Sequence, residues 1–132
     1  MEGRIDELNR PVLRVEVNDR PLRCLVDTGF NGFLWIDERV AQLIGVYQKG
    51  KVYESELADG RPAEFKIAVG SILWFDQPKN IPIHVFQGER HSNLDGILGT
   101  RLLIGYVLIA DFNWGLVSVR FPGDDHDDSK AT

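Results

Sequence analysis

Among 132 residues the chain has a single cysteine, Cys24. That excludes an internal disulfide and a cysteine-based zinc cluster, and it points to a reducing compartment. Cys24 lies in the apolar run Cys24-Leu25-Val26, where a thiol behaves as a small hydrophobe rather than a nucleophile. Long apolar runs are also missing. None reaches the roughly 20 residues needed to cross a bilayer, and the opening MEGRIDELNR lacks the apolar centre of a signal peptide. The expectation is a cytoplasmic protein with no membrane partner. Clustered positive charge is the third absence. The net charge is -5 with a pI near 5.1, and the lysines and arginines are scattered singly. Binding nucleic acid requires basic side chains gathered on one face to neutralise phosphates, so no nucleic-acid partner is expected and an oligonucleotide-binding barrel is disfavoured. No internal period of solenoid length is present.

What the chain does have is 43% hydrophobic content, enough for one core and one domain. Residues 1–11 read as an N-terminal arm, loose or a short leading strand, and residues 123–132 as an acidic tail too poor in apolar side chains to order. A metal role for Asp124, Asp125, His126 and Asp127 is weaker than a solvated tail. His84 and His91 have no ligand partner at metal spacing and read as surface histidines, so no metal or cofactor is expected.

Between the ends, Val12–Val17 alternates as a half-buried strand and turns through Asn18-Asp19 into a second arm, Leu22–Val26. Phe33–Ile36 reads as a short strand. Asp37 then caps a helix with apolar positions Val40, Ala41, Leu43 and Ile44, stopped by Gly45. Two runs flank Asp59-Gly60 and predict a hairpin at about 51–69 that projects from the body. Residues 72–75 read as strand or bend, 77–80 as loop, and 81–86 as strand. A short helix is expected from Thr100, then a hairpin of 106–110 with 116–119. The count, about eight short strands and two short helices, is that of a mainly β, closed or partly closed barrel.

Two stretches stand apart. In CLVDTGFNGF, residues 24–33, an apolar strand delivers Asp27 directly into Thr28-Gly29. Asp-Thr-Gly is a common turn tripeptide and can do no more than close a strand. A carboxylate at the end of a buried strand nevertheless costs several kcal/mol unless it is hydrogen-bonded, paired or neutralised, which marks it as a candidate for use. Downstream, Ile97-Leu98 is a second buried run that meets Gly99 before a helix start.

Taken in order, Asp27-Thr28-Gly29, a short helix, a hairpin with a glycine at its tip, and Ile97-Leu98-Gly99 resemble the retropepsin-like aspartic proteases, the single-domain relatives of pepsin. DGILG, residues 95–99, is similar to the matching segment of pepsin-type lobes, and the resemblance covers roughly residues 12–120. It implies a closed barrel with a flap hairpin, and an aspartic endopeptidase in which Asp27 faces its counterpart across a homodimer two-fold axis. Thr28 would bond across that axis. Gly29 would lend its backbone to the substrate or to the loop, and Leu98 and Gly99 would pack behind the loop. Phe30 and Asn31, with Ala58, Asp59 and Gly60 at the flap tip, would border an extended peptide or unfolded protein. Departures from the family are Phe30, where peptidases carry Ala or Ser; Asn31, where retroviral members have an acid; and Thr100, where they have the pairing Arg. Phe30 motivates the competing reading, a catalytically silent module for dimerisation or peptide binding; an unrelated barrel whose Asp27 merely ends a strand also stays open.

Overall fold

The computed structural model describes residues 1–56, 60–88 and 92–124. Alternation builds the first hairpin. In β1 (Glu2–Ile5), β2 (Pro11–Val17) and β3 (Arg20–Val26), every second side chain of the latter two turns inward, and Leu13, Val15, Val17, Leu22, Cys24 and Val26 are buried. Asn18 and Asp19 both adopt positive φ, 50° and 64°, the geometry of a tight two-residue hairpin turn. The short-strand alternative for the N-terminus is the one realised: β1 lies between β2 and the last strand of the chain. Its charged sequence hides this, because backbone pairing holds it and a Cβ on Gly3 would meet the carbonyl oxygen of Val12 at 2.0 Å.

β4 (Leu34–Asp37) leads into α1 (Glu38–Ile44), where the Asp37 carboxylate accepts a hydrogen bond from the Val40 amide at 2.9 Å and Gly45 closes the end at φ 71°. Val40, Ala41 and Ile44 are buried, whereas Leu43 is exposed. At about 100° per residue it falls outside the arc those three define.

β5 (Lys49–Glu56) and β6 (Pro62–Trp74) form the expected long hairpin, with a register shift near Gly50. β7 (Gln77–Phe86) then starts earlier than its sequence suggests, because residues 77–80 are strand rather than loop. The turn is Phe75-Asp76, at φ 51° and 61°, and carries none of the glycine or asparagine that normally signals one. Ring packing holds Phe75 there: its centroid lies 5.0 Å from Tyr106 and 4.6 Å from Phe121.

β8 (Gly96–Leu98), α2 (Thr100–Leu103), β9 (Val107–Asp111) and β10 (Leu116–Arg120) complete the fold before a 3-10 turn at Pro122–Asp124. The Asp111 carboxylate accepts from the Asn113 and Trp114 amides, at 2.9 Å each, to shape the last hairpin turn. The strands run β5-β6-β7-β4-β8-β3-β2-β1-β10-β9, and a further β2–β6 pairing, Glu16 with Leu73 and Val17 with Ile72, closes β2, β3, β8, β4, β7 and β6 into a barrel. Leu13, Leu34, Ile36, Ile72, Ile83, Val85 and Leu98 fill it. Cys24 is fully buried and its thiol is lifted well above the usual range by desolvation and the nearby Asp95 charge, as befits a core hydrophobe. No helix among the described residues is long and apolar enough to cross a membrane.

Asp37 is only 4% exposed, so its cap is a buried one. Asp37→Ala is expected to cost about 1–2 kcal/mol in urea unfolding while Asp37→Asn costs distinctly less. Equal losses in the two variants would show that the cap is not what Asp37 contributes.

Candidate functional site

β8 creates the site. It pairs parallel with β3 on one side, Val26 opposite Leu98, and antiparallel with β4 on the other, Leu34 opposite Leu98. Both strands that flank the loop 27–33 are therefore fastened to one three-residue strand between them. The Asp27 amide donates to the Leu98 carbonyl at 2.9 Å, which fixes where β3 ends. Its carboxylate turns back and accepts from the Gly29 amide at 2.8 Å.

The far end of the loop is held by the start of α2. Amides of Gly99, Thr100 and Arg101 donate to the carbonyls of Phe33, Phe30 and Gly32 at 3.0, 2.9 and 3.2 Å, and the Thr100 hydroxyl reaches the Phe30 carbonyl at 3.3 Å. Thr100 thus holds the loop through a neutral hydrogen bond, with no ion pair to desolvate. Gly99 is indispensable to this clasp. A Cβ there would meet the Gly32 carbonyl oxygen at 2.2 Å and the Phe30 carbonyl oxygen at 2.7 Å, both backbone atoms that a rotamer change leaves in place.

Asp27 borders a cleft of about 1290 Å³, larger than the ~300–1,000 Å³ common for small-molecule pockets. Phe30 and Asn31 of the loop line it, and so do Glu54, Ser55, Glu56 and Arg61 of the β5–β6 hairpin. The hairpin therefore borders the same cleft as Asp27. Thr28 and Gly29 are exposed beside it, Leu98 is buried behind, and Gly60 is exposed at φ 83°. Ala58 and Asp59 lie outside the described residues, as do His91, Asp125, His126 and Asp127.

The Phe30 ring lies along two glycines. A Cβ on Gly32 would meet its Cζ at 2.5 Å, and one on Gly99 its Cδ2 at 2.6 Å. It meets His84 edge-on at 5.3 Å and Trp35 at 6.0 Å. His84 is accordingly not a surface histidine. It is half-buried in the cleft wall, stacked on Trp35 at 5.9 Å and against Phe65 at 4.7 Å, and its Nδ1 is buried without a hydrogen-bond partner among the described residues. Sequence reasoning missed this wall of Trp35, Phe65, His84 and Phe86. The signal was the alternation of β7, which sends Ile81, Ile83 and Val85 into the core and so turns His84 and Phe86 the other way. That this other face lines a cleft depends on the parallel pairing that sets Trp35 beside His84.

Two outcomes follow from this geometry. Gly99→Ala is expected to cost about 3 kcal/mol or more, measured by urea unfolding, because backbone must move to admit the methyl. A loss below about 0.5 kcal/mol would contradict the clasp. Burial holds the His84 pKa below its usual 6.5. As pH falls through 6.5 the unfolded chain takes up a proton that the folded chain resists, so stability from the neutral ring is complete above 6.5 and is lost on acidification toward the depressed folded value. Unfolding free energy should fall more steeply between about pH 7.5 and about pH 5.5 for the wild type than for His84→Phe; parallel slopes would contradict it.

Comparison with known proteins agrees with this geometry. Three solved structures share the fold: a retropepsin-like aspartic protease from Rickettsia conorii (TM-score 0.64, 20% identity, 92% of this chain and 90% of that one); the EIAV protease in complex with the inhibitor HBY-793 (0.56, 22%, 75% and 89%); and the retroviral protease-like domain of Ddi1 from Leishmania major (0.52, 14%, 83% and 87%). No curated protein matches the sequence significantly. The family model for aspartyl protease matches residues 13–102, from the first barrel strand to α2, and so spans both the Asp27 loop and the β8 clasp. The fold is the retropepsin-like barrel, and the chain belongs to the aspartyl protease family.

Proposed function

We propose that this protein is an aspartic endopeptidase that hydrolyses peptide bonds with a pair of Asp27 carboxylates, one from each chain of a homodimer. The observation that carries the reading is Asp27 at the wall of a cleft that the β5–β6 hairpin also borders, with a single Asp-Thr-Gly in the chain to supply it. One carboxylate accounts for half of the chemistry. Two sharing a site hold one proton between them, since both cannot ionise easily, a behaviour for which aspartic proteases are the standard reference. The ionised member takes a proton from water as that water attacks the scissile carbonyl, and the protonated member donates to the carbonyl oxygen. No metal or covalent intermediate enters.

The supports are physical. Thr28 and Gly29 are exposed beside Asp27 and free to meet the same residues of a second chain. β9 ends the sheet, and Ile104, Phe112 and Trp114 around it are 70%, 63% and 76% exposed, a surface suited to burial against a copy. The cleft's volume of about 1290 Å³ suits an extended peptide, which the β5–β6 hairpin would cover as a flap, bonding main chain to main chain. Gly50 and Gly60 at positive φ give that hairpin its points of bending. The Phe30 ring, laid along Gly32 and Gly99, forms a side of the cleft. A cytoplasmic setting is consistent with the single buried thiol.

Cleavage of an unfolded protein at mildly acidic pH should be blocked by a pepstatin-like transition-state mimic, and Asp27→Asn should lower it by at least about a thousandfold while the variant remains dimeric in sedimentation. Activity that survives Asp27→Asn would overturn the mechanism. A wild type that dimerises and binds peptide but cleaves nothing would favour the silent module.

A further inference from the structure

One wall of the cleft is built from aromatic rings. His84 and Phe86 of β7, Trp35 of β4, Phe65 of β6 and Phe30 of the loop all border the same space, and they touch one another in a continuous chain. Tyr53 of β5 extends the chain by stacking on Phe65 at 5.4 Å and 20°. The rings that line the cleft come from three different strands and a loop, so the barrel's own register holds them, not a single mobile segment.

We propose that these rings form a substrate subsite selective for an aromatic side chain, with His84 as the specificity-determining residue at its centre. The inference rests on the peptidase reading above and names what its cleft selects. His84 meets three of the rings, Phe30 edge-on and Trp35 and Phe65 face to face or tilted. A wall that mixes edges and faces in this way offers an incoming ring both of the arrangements aromatic pairs favour, a gain that a branched aliphatic side chain of equal area does not receive.

The histidine adds a polar feature. Its Nδ1 is buried with no hydrogen-bond partner among the described residues, so a proton placed there would be an unsatisfied buried N–H. The cost of that unpaired N–H favours the neutral tautomer protonated on Nε2. Desolvation, which lowers the His84 pKa, keeps that neutral form in place and keeps charge out of the rings. The charged groups around the cleft, Asp27, Glu54, Glu56, Arg61 and Arg101, lie on the loop, the hairpin and α2 and border the same space. The aromatic wall and this charged border divide the cleft, so one substrate side chain meets rings while its neighbours meet polar groups.

The experiment is cleavage-site profiling on a peptide library with wild type, His84→Phe, His84→Leu and Phe65→Leu, beside library binding by Asp27→Asn, which removes the carboxylate and leaves the rings. The expected result is enrichment of Phe, Tyr or Trp over Leu by about fivefold to tenfold at one substrate position, kept by His84→Phe and reduced to about twofold or less by His84→Leu. Phe65→Leu should weaken the same position, which keeps the test valid if His84→Leu does not fold. Cleavage without aromatic enrichment, or enrichment unchanged in both leucine variants, would overturn the subsite and leave the peptidase standing. Aromatic-selective binding by Asp27→Asn with no cleavage by the wild type would support the subsite and overturn the peptidase. Neither cleavage nor selective binding would overturn both.

Discussion

The absence of a side chain at Gly99 governs the rest of the structure. Carbonyl oxygens of Phe30 and Gly32 occupy the space a methyl would need, and the Phe30 ring closes over the same spot. Because these groups come so near, amides at the start of α2 can hold the loop that begins at Asp27. β8 does the same for the strands on either side. A short strand between β3 and β4 has few hydrogen bonds to give, so close backbone approach is what makes it an effective anchor. The carboxylate is thereby presented from a rigid element, as a group that must be placed to within about 0.5 Å requires.

Where this chain departs from retroviral relatives, its changes are mutually consistent. Replacing the small residue after Asp-Thr-Gly by Phe30 demands space, and Gly32 and Gly99 provide it. Replacing the acid and its arginine by Asn31 and Thr100 removes two charges together, and the Thr100 hydroxyl takes up a loop carbonyl instead. The loop is held by neutral contacts and ring packing. Its geometry should accordingly be less sensitive to salt than a loop held by an ion pair.

Much of this was legible in the sequence because local rules and the fold agree. Asp37 and Gly45 bound their helix, Asn18-Asp19 makes its turn, and the Asp27 loop meets β8 as the order of the motifs implied. The illegible parts have physical causes. β1 is charged and held by backbone pairing, which leaves no pattern of side chains to read. The Phe75-Asp76 turn puts a Phe at positive φ, which a bulky residue avoids unless other contacts hold it, and the rings that hold it, Tyr106 and Phe121, are far along the chain. His84 looked like a surface residue because alternation tells which strand face is opposite the core, while the Trp35 and Phe65 rings that cover it arrive through sheet pairing. In each case a non-local contact overrode the local signal.

The account's central claim is that Asp27 becomes effective by meeting its copy. The most direct measurement is the separation of the two Asp27 carboxylates in a crystal structure of the protein in its solution assembly. The account predicts a two-fold dimer in which their nearest oxygens lie about 3 Å apart, close enough to share a proton. A protein that stays monomeric at working concentration, or a dimer that places those oxygens well beyond hydrogen-bond reach with other side chains between them, would contradict it.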